Sequence, residues 1–225
     1  MSETREQTQP HATQSPAAQS PAERRRRKVR DAIVSAAERM FAREGEAGLS
    51  IRKLAEEIDY SPGAIYKYFE SKQDLVDALK EAFFEQLHSE MEEFEGQADD
   101  YLVYMHGFLR TYVRVALGKP HHYAAAFTGL PEDGAPRVHV PEDSLKVQAF
   151  MQLRKRVEMG VALGVFRKDL QVTQTAKSIW ASLHGFVALM AHIPHFHAIM
   201  LDDKPPSSEH FISDHIDFIL QGLSK

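Results

Sequence analysis

The sequence predicts an all-α protein, with an N-terminal three-helix domain that contains a helix-turn-helix and a larger C-terminal helical domain. Between residues 49 and 75, two short helical patterns meet at a tight turn. Beyond residue 75, apolar residues recur at helical spacing almost to the end. A length of 225 residues accommodates a small domain plus a larger one with its own core. We therefore expect three segments, at residues 1–23, 24–75 and 76–225.

The first segment, residues 1–23, is rich in Gln, Ser, Thr, Pro and Ala and lacks apolar periodicity, which predicts disorder. A basic run follows, consisting of Arg24, Arg25, Arg26, Arg27 and Lys28. Such a run either follows DNA phosphates or a minor groove, or is the solvated start of a helix. We favour contact with DNA, because five like charges at the positive end of a helix would otherwise repel one another.

The first short helix of the motif begins after Ser50, whose hydroxyl can cap the free amides of the next turn. Its apolar stripe consists of Ile51, Leu54, Ala55 and Ile58. Arg52 falls off this stripe, toward solvent. Asp59 is the expected turn residue, because aspartate tolerates a left-handed backbone.

The second short helix begins at Ser61, a capping residue followed by proline at the first helical position. Its first turn contains the small Gly63 and Ala64, which permit close approach to base edges. Ile65 and Phe69, four residues apart, point into the core. The side chains expected to face DNA are those of Tyr66, Lys67 and Tyr68.

A third helix of the motif starts after Ser71, with Asp74 completing a capping box. Lys72 lies beside this start, where it can contact a phosphate. An ordinary helical hairpin with a polar surface is the alternative interpretation of residues 49–75.

Residues 29–79 resemble the DNA-binding domain of regulators of the tetracycline-repressor (TetR) family. The matching positions are Phe41, Gly45, Ser50, Ile51 to Ala55, Ser61, Tyr66, Phe69, Ser71 and Lys72. The resemblance implies a first helix at about residues 26–43, with an apolar stripe of Ile33, Ala36, Ala37, Met40 and Phe41. The sequence departs from the family at Asp59, where glycine is usual, and at Tyr60, which either fills the core or turns its hydroxyl outward.

The resemblance assigns DNA-binding roles by position. The candidates are Ser50, Arg52, Ser61, Gly63, Ala64, Tyr66, Lys67, Tyr68 and Lys72, together with the basic run 24–28. Arg52 and Lys67 are the expected base readers, arginine being the better one because its fork can pair with both acceptors of guanine. We expect Tyr66, Tyr68 and Lys72 to contact phosphates.

The net charge of −5 argues against a nucleic-acid partner only until its distribution is considered. Residues 24–75 carry 12 basic and 9 acidic side chains, whereas residues 76–225 carry 14 and 20. An acidic C-terminal domain keeps non-specific DNA binding weak without blocking a basic docking face. With no cysteine, no signal-peptide pattern and no membrane-spanning stretch, the sequence predicts a cytoplasmic protein without disulfides.

Apolar stripes and helix breakers predict the elements of the C-terminal domain. A linking helix at residues 74–93 ends near Gly96 and joins the two domains. The other expected helices lie at residues 102–117, 121–128, 145–163, 173–192 and 209–223, with a loop at 129–141.

The helix at residues 173–192 is apolar nearly all round, which predicts burial on both sides. One side is a stripe of mostly small residues, Ser178, Ala181, Ser182, Gly185, Ala188 and His192. Trp180, His184 and Gly185 together resemble the Trp-His-Gly signature of one class of TetR-family C-terminal domains.

This second resemblance implies an obligate homodimer, in which the last two long helices of each subunit form a four-helix bundle. The last helix would contribute Ile212, His215, Ile216 and Ile219 to the interface. A dimer also suits DNA recognition, because a single short helix contacts too few bases for useful discrimination. We therefore expect a palindromic operator.

Aromatic and apolar residues on several helices are candidates for the lining of an effector cavity, although a plain core would claim most of them. The candidates are Phe83, Met105, Leu109, Tyr112, Phe127, Phe150, Trp180 and Val187, with His106 and His184 as polar groups. The sequence thus predicts a repressor that a small, largely apolar effector releases from double-stranded DNA.

Three alternatives compete with this interpretation. Eleven of the 12 histidines follow residue 75, which raises metal or haem sensing, but no helix-borne histidine pair has a nearby carboxylate and we expect no metal or cofactor. An enzyme would need a nucleophile elbow, a phosphate loop or a metalloprotease motif, which the sequence lacks. A regulator without a small effector would keep its operator when ligands are added.

Overall fold

The structure, a computed structural model, describes residues 20–93, 100–127, 143–199 and 205–225. These segments are almost entirely helical, as predicted. The helices are α1 (Pro21–Gly48), α2 (Ile51–Glu57), α3 (Pro62–Ile65), α4 (Lys72–Glu93), α5 (Tyr101–Gly118), α6 (Pro120–Phe127), α7 (Leu145–Ala162), α8 (Val172–His192) and α9 (Ser208–Leu223). A single 3₁₀ turn lies at Phe196–Ala198 within the described part of the chain. The predicted loop at 129–141 falls outside the described residues.

Helix α1 begins earlier than the sequence pattern predicted. Ser20 caps it, accepting from the amide of Glu23, whose carboxylate accepts from the amide of Ser20 in return. The expectation of disorder is therefore wrong for the last residues of segment 1–23, while residues 1–19 lie outside the described part. At its other end, α1 extends to Gly48 through Gly45, whose φ of 67° departs from helical geometry.

The first four helices enclose a small core. Its buried members are Ile33, Ala36, Ala37, Met40, Leu49, Ile51, Leu54, Ala55, Ile65, Phe69, Leu75, Val76 and Ala78. The predicted stripe of α2 faces this core, as do Ile65, Phe69 and the α1 stripe except Phe41, which belongs to a separate cluster. The three-helix N-terminal unit thus packs on the first turns of α4.

The second, larger core lies between α4 and the C-terminal helices α5–α9. Among the described residues of this core, one cation is buried, Arg156 of α7. The Arg156 Nε donates to the hydroxyl of Tyr104 at 2.8 Å, and the guanidinium carbon lies 4.0 Å from the ring centre of Phe108. Hydrogen bonding and cation–π contact thereby compensate for the removal of this charge from water.

Helix α6 joins the two cores. A small apolar cluster of Phe41 from α1, Leu79 from α4 and Ala125 from α6 lies between them. Beside it, Nδ1 of the buried His122 is 2.8 Å from the carboxylate of Glu38 on α1. Burial lowers the pKa of His122, and the neighbouring Glu38 carboxylate acts in the opposite direction.

No helix among the described residues is long and apolar enough to cross a membrane.

Gly160 is a position of close approach in the large core. A Cβ atom built there would lie 2.3 Å from the ring of the fully buried Phe166 and 2.9 Å from the ring of Tyr101. We predict that Gly160→Ala lowers the free energy of unfolding by about 1–3 kcal/mol, because the core must shift to accept the methyl group. Urea unfolding at fixed protein concentration measures this loss.

The matched control is Gly118→Ala at the end of α5, where a Cβ would meet nothing within 4 Å. This variant should keep its unfolding free energy to within about 1 kcal/mol. Equal effects of the two substitutions would contradict the close packing at Gly160.

Candidate nucleic-acid interface

The turn between α2 and α3 has the geometry that its residues predicted. Asp59 adopts a left-handed conformation with φ of 56°. The hydroxyl of Ser61 accepts from the amide of Ala64 at 3.2 Å, which caps α3. Ser50 precedes α2 with an extended backbone but forms no capping hydrogen bond, so the predicted role of its side chain as a cap is wrong. The two helices are therefore positioned by the turn and by α3's own cap.

The outer surface of α2 and α3 presents polar and small residues. Arg52 is 84% exposed at its side chain and pairs with Glu56 one turn later at 3.2 Å. Gly63 is exposed, with open space where a Cβ would project, and Tyr66 is 52% exposed. Lys67 is exposed as well. This surface can approach a base-pair edge closely and offers donors of different lengths.

The aromatic residues around α3 divide between surface and core. Tyr60 is exposed, so its hydroxyl turns outward rather than filling the core. Tyr68 is half-buried and packs against the small core, while Phe69 is buried. The guanidinium of Arg30 lies 5.3 Å from the ring centre of Phe69 and ties α1 to the end of the motif. Tyr68 is therefore less accessible to a phosphate than Tyr66.

The start of α4 is fixed by a reciprocal pair. The Ser71 hydroxyl accepts from the amide of Asp74 at 3.1 Å, and the Asp74 carboxylate accepts from the Ser71 hydroxyl and from the amide of Glu70. The predicted capping box is thus present, with its return bond one residue earlier than expected. Lys72, the first residue of α4, is half-exposed beside it.

Other cations of the N-terminal unit are engaged in ion pairs between helices. Arg39 and Arg43 of α1 contact Glu57 of α2 at 3.3 and 2.5 Å, and Lys53 contacts Glu44 at 2.8 Å. The hydrogen bond from Arg43 lowers the pKa of Glu57. These cations hold α1 against α2, whereas the basic run 24–28 is exposed on the first turns of α1.

The C-terminal domain contains a narrow apolar cavity with about 30 Å³ of free space. Its lining residues are Phe84, Leu87, Met91, Phe108, Leu109, Tyr112, Lys146, Ala149, Phe150, Leu153, Trp180 and Leu183. Four of the ten predicted residues line it, namely Leu109, Tyr112, Phe150 and Trp180. The space suffices for about two waters, so a larger molecule enters only if side chains move.

The other six predicted residues lie elsewhere, which corrects their assignment to the lining. Three are buried in the large core: Phe83, Met105 and Val187. His106 lies between α5 and α9, with Nε2 3.0 Å from the hydroxyl of Ser213. The Phe127 ring contacts Trp180 at a tilt and His184 edge to face, and His184 contacts Tyr123, all outside the lining. A stripe of apolar residues shows that a helix face is buried, but not whether it meets a gap or another side chain.

A chain of hydrogen bonds runs from the cavity wall toward α6. The indole N–H of Trp180 donates to the hydroxyl of Tyr112 at 3.3 Å, which contacts the hydroxyl of Tyr123 at 3.5 Å. The Tyr123 hydroxyl is hydrogen-bonded to Nδ1 of His184. Burial raises the pKa of Tyr123 and lowers that of His184, so both groups are neutral near pH 7.

The stripe of small residues on α8 is at the surface of the chain. Ser178, Ala181 and Gly185 are exposed, and Ser182 and Ala188 are half-buried. A groove of about 530 Å³ runs along part of this stripe and includes Phe218 of α9, which is 73% exposed. An exposed phenylalanine beside small residues is typical of a surface that another protein covers.

The assignment of Ile212 and Ile216 to a partner surface is wrong, because both are buried in the large core of the chain itself. Ile219 is also buried, at the edge of the groove. His215 is half-buried, stacks on Phe186 with ring centres 4.3 Å apart and lies 3.2 Å from the hydroxyl of Ser182. The predicted stripe of α9 is therefore its inner face, and Phe218 is the exposed residue that the pattern missed.

Within the described residues, no group of three or more histidine or acidic side chains is arranged to hold a metal ion.

Two family profiles match the chain and together span well over half of it. The profile described as bacterial regulatory proteins, tetR family, matches residues 33–79, and that of the tetracyclin repressor-like C-terminal domain matches residues 105–214. The chain is 25% identical over 166 residues to the HTH-type transcriptional repressor KstR2 of Mycobacterium tuberculosis, covering 70% of this chain and 80% of that protein.

Solved structures share the fold. A protein of unknown function from Rhodococcus sp. RHA1 superposes with a TM-score of 0.68 at 24% identity, covering 88% of this chain and 96% of that one. The TetR-family regulator PfmR of Thermus thermophilus gives 0.65 at 20% identity, with coverages of 86% and 99%.

Proposed function

The chain belongs to the tetR family of bacterial regulatory proteins, and we propose that it is a repressor that binds a palindromic operator as a homodimer and releases it when a small, largely apolar effector binds. Membership of this family makes it a DNA-binding transcriptional regulator. The proposal adds the repressor mode, the dimer, the palindrome and the effector, and places the protein in the cytoplasm. The observation that carries the proposal is the exposed polar face of α2 and α3 on a small basic domain. The apolar cluster of Phe41, Leu79 and Ala125, which we call the joint, connects this domain to the helical domain that contains the apolar cavity.

The exposed positions of this face divide into base readers and phosphate contacts. Arg52 and Lys67 have the reach and charge to contact base edges, while Gly63 lets the backbone come close. Tyr66 and Lys72 flank them and suit phosphates, as does the basic run 24–28. Tyr68 contributes at most its hydroxyl, since its ring packs on the small core.

The proposed dimer uses the exposed side of α8 together with α9. The small residues Ser178, Ala181 and Gly185 let a second helix approach closely, and Phe218 supplies apolar area beside them. A two-fold axis at this surface would present two copies of α3 to successive major grooves on one side of DNA. Two half-sites give the discrimination that one short helix lacks.

The proposed effector binds in the cavity between α4, α5, α7 and α8. Apolar walls suit an apolar ligand body. One structural relative, KstR2 of Mycobacterium tuberculosis, is named a ketosteroid transcriptional regulator, and that name concerns that protein alone. For this chain, support comes from α4, which lines the cavity with Phe84 and Leu87 and packs in the small core with Leu75.

Selection of bound sequences from random duplex DNA with the purified protein tests this function. Enrichment of a palindrome would support a dimeric regulator and define its operator. If the folded protein enriches no sequence even at low salt, sequence-specific recognition is excluded, and the exposed face of α2 and α3 would need another role.

Two substitutions separate base contacts from phosphate contacts. We predict that Lys72→Ala weakens binding to operator and random DNA alike and reduces the salt dependence, whereas Arg52→Ala also relaxes base preference, each at a cost of about 1–3 kcal/mol. Arg52→Ala also removes the exposed ion pair with Glu56, which should lower the free energy of unfolding by less than about 1 kcal/mol, so the variant should remain folded. Fluorescence anisotropy on both DNAs across a salt series gives the two affinities and the slope.

The control for these variants is Lys168→Ala, which removes an exposed cation between α7 and α8. It should leave both affinities unchanged. An equal loss on operator and random DNA for Arg52→Ala would remove Arg52 from the base readers.

The proposed dimer surface predicts a specific effect of charge at Phe218. Phe218→Asp should raise the dimer dissociation constant at least roughly 30-fold, because an anchor of about 2 kcal/mol or more is replaced by a charge that resists burial. Sedimentation equilibrium measures the constant. Met151→Asp, at an exposed apolar site on α7, is the control and should stay dimeric. A Phe218→Asp protein that associates as tightly as the parent would rule out this surface.

A further inference from the structure

The cavity in the C-terminal domain has an uneven charge distribution. Eleven of its lining residues are apolar or aromatic, and Lys146 is the single charged one among the described residues. Among the described residues, no carboxylate lines it, although acidic side chains outnumber basic ones in the chain as a whole. The cavity therefore has walls for a hydrocarbon and a positive charge at one place, and no carboxylate among the described residues that line it to pair with a cation.

The polar groups inside the cavity are already satisfied. The hydroxyl of Tyr112 accepts from the indole of Trp180 and is within reach of Tyr123, which in turn bonds to His184. A ligand that needed hydrogen bonds at this end would have to break those bonds, at a cost for each buried group left unpaired. The interior end is thus suited to an apolar ligand tail, and Lys146 is the remaining polar anchor.

The lining extends along α4 and α7, with α5 and α8 completing the walls, and we call this elongated cavity the slot. On α4 the lining runs from Phe84 to Met91, and on α7 it runs from Lys146 to Leu153. Each stretch advances by seven residues, which corresponds to about 10 Å along a helix. Lys146 is exposed and lies at the start of the α7 stretch, so the charge stands at an end of the slot rather than at its middle.

The slot is nearly closed in the structure, with about 30 Å³ of free space. Opening it requires rotation of lining side chains such as Met91 and Phe150, and the unbranched methionine adapts readily. A flexible alkyl chain can enter such a slot one methylene at a time, with few side chains moved at each step. A rigid polycyclic molecule requires the slot to open to the full width of the molecule before it can enter. The near-closed state therefore favours a narrow, flexible tail.

We propose that the effector is an amphiphile of medium length, with a flexible apolar tail in the slot and an anionic head group on the ammonium of Lys146. This inference rests on the proposed effector-responsive function and specifies its ligand class. The tail contributes most of the binding free energy through burial of CH₂ groups. The head group sets the sign of charge that the cavity accepts, because a cationic head would meet Lys146 with like charge.

The single tryptophan makes the test direct, since Trp180 lines the cavity and is the only indole in the protein. Octanoate, octanol and octylammonium share one tail and differ in head-group charge, and the primary ammonium avoids the affinity of a quaternary ammonium for aromatic walls. Each is titrated into the full-length protein while Trp180 emission is followed. We expect octanoate to bind about fivefold more tightly than octanol, the gain of one exposed ion pair, and the cation to bind more weakly than either.

Variants of Lys146 show whether this residue causes the preference. Lys146→Met should bind octanoate and octanol with equal affinity, and Lys146→Arg should keep the preference. Lys155→Met, which removes an exposed lysine on α7 outside the lining, should behave as the parent. Equal binding of octanoate and octanol to the parent, or a preference that survives Lys146→Met, would overturn the proposal, as would failure of all three probes to change Trp180 emission.

A second measurement separates this inference from the proposed function. Octanoate is added to the complex of the protein with its selected operator. Release of DNA by octanoate supports both the proposed ligand class and the proposed effector-responsive function. Binding of octanoate with the charge preference, but without release, supports the ligand class and contradicts the effector role of the cavity. If no operator can be selected, the DNA-binding proposal fails whatever the fluorescence titrations show.

Discussion

The contact of α6 with α1 and α4 is the interaction on which the relation between the two domains depends. Phe41, Leu79 and Ala125 form its apolar part, and burial of Leu79 contributes on the order of 2 kcal/mol. The Glu38–His122 contact and a polar groove of about 230 Å³ flank this cluster. The part of this joint that α1 contributes is small beside the two cores, although α4 and α6 themselves pack extensively against each other. Small, partly polar interfaces of this kind permit domains to move relative to each other.

Much of the N-terminal unit followed from the sequence because its signals are local. The cap at Ser61, the left-handed turn at Asp59 and the Ser71–Asp74 pair each depend on residues within three positions of one another. The early start of α1 has a local signal as well, the capping box between Ser20 and Glu23, but the surrounding low-complexity composition favoured disorder. Competing local signals, rather than distant contacts, caused that error.

The C-terminal site was less predictable because its signals are tertiary. The spacing of Ile212 and Ile216 correctly indicated a buried face, but a stripe does not reveal whether its own chain or a second one covers it. Phe218 breaks the apolar period of α9, and its exposure is visible only once the other helices are placed. A cavity forms where packed side chains leave space, and this depends on tertiary packing. Residue spacing alone could therefore not predict that Lys146 and Trp180 line the same cavity.

Helix α4 determines how a change in the cavity can reach DNA. Its first turns lie in the small core, Leu79 lies in the joint and Phe84 to Met91 line the cavity. Where the proposed effector shifts a lining helix as well as side chains, α4 is the helix that carries the shift to the small core, because α7 has no comparable packed contact with that core among the described elements. Such a displacement of α4 would tilt Leu75 and Val76, and with them the surface of α2 and α3 that packs against them. In the proposed dimer, two such units would have to match successive major grooves at once, so a small tilt in each subunit would suffice to separate them from one operator.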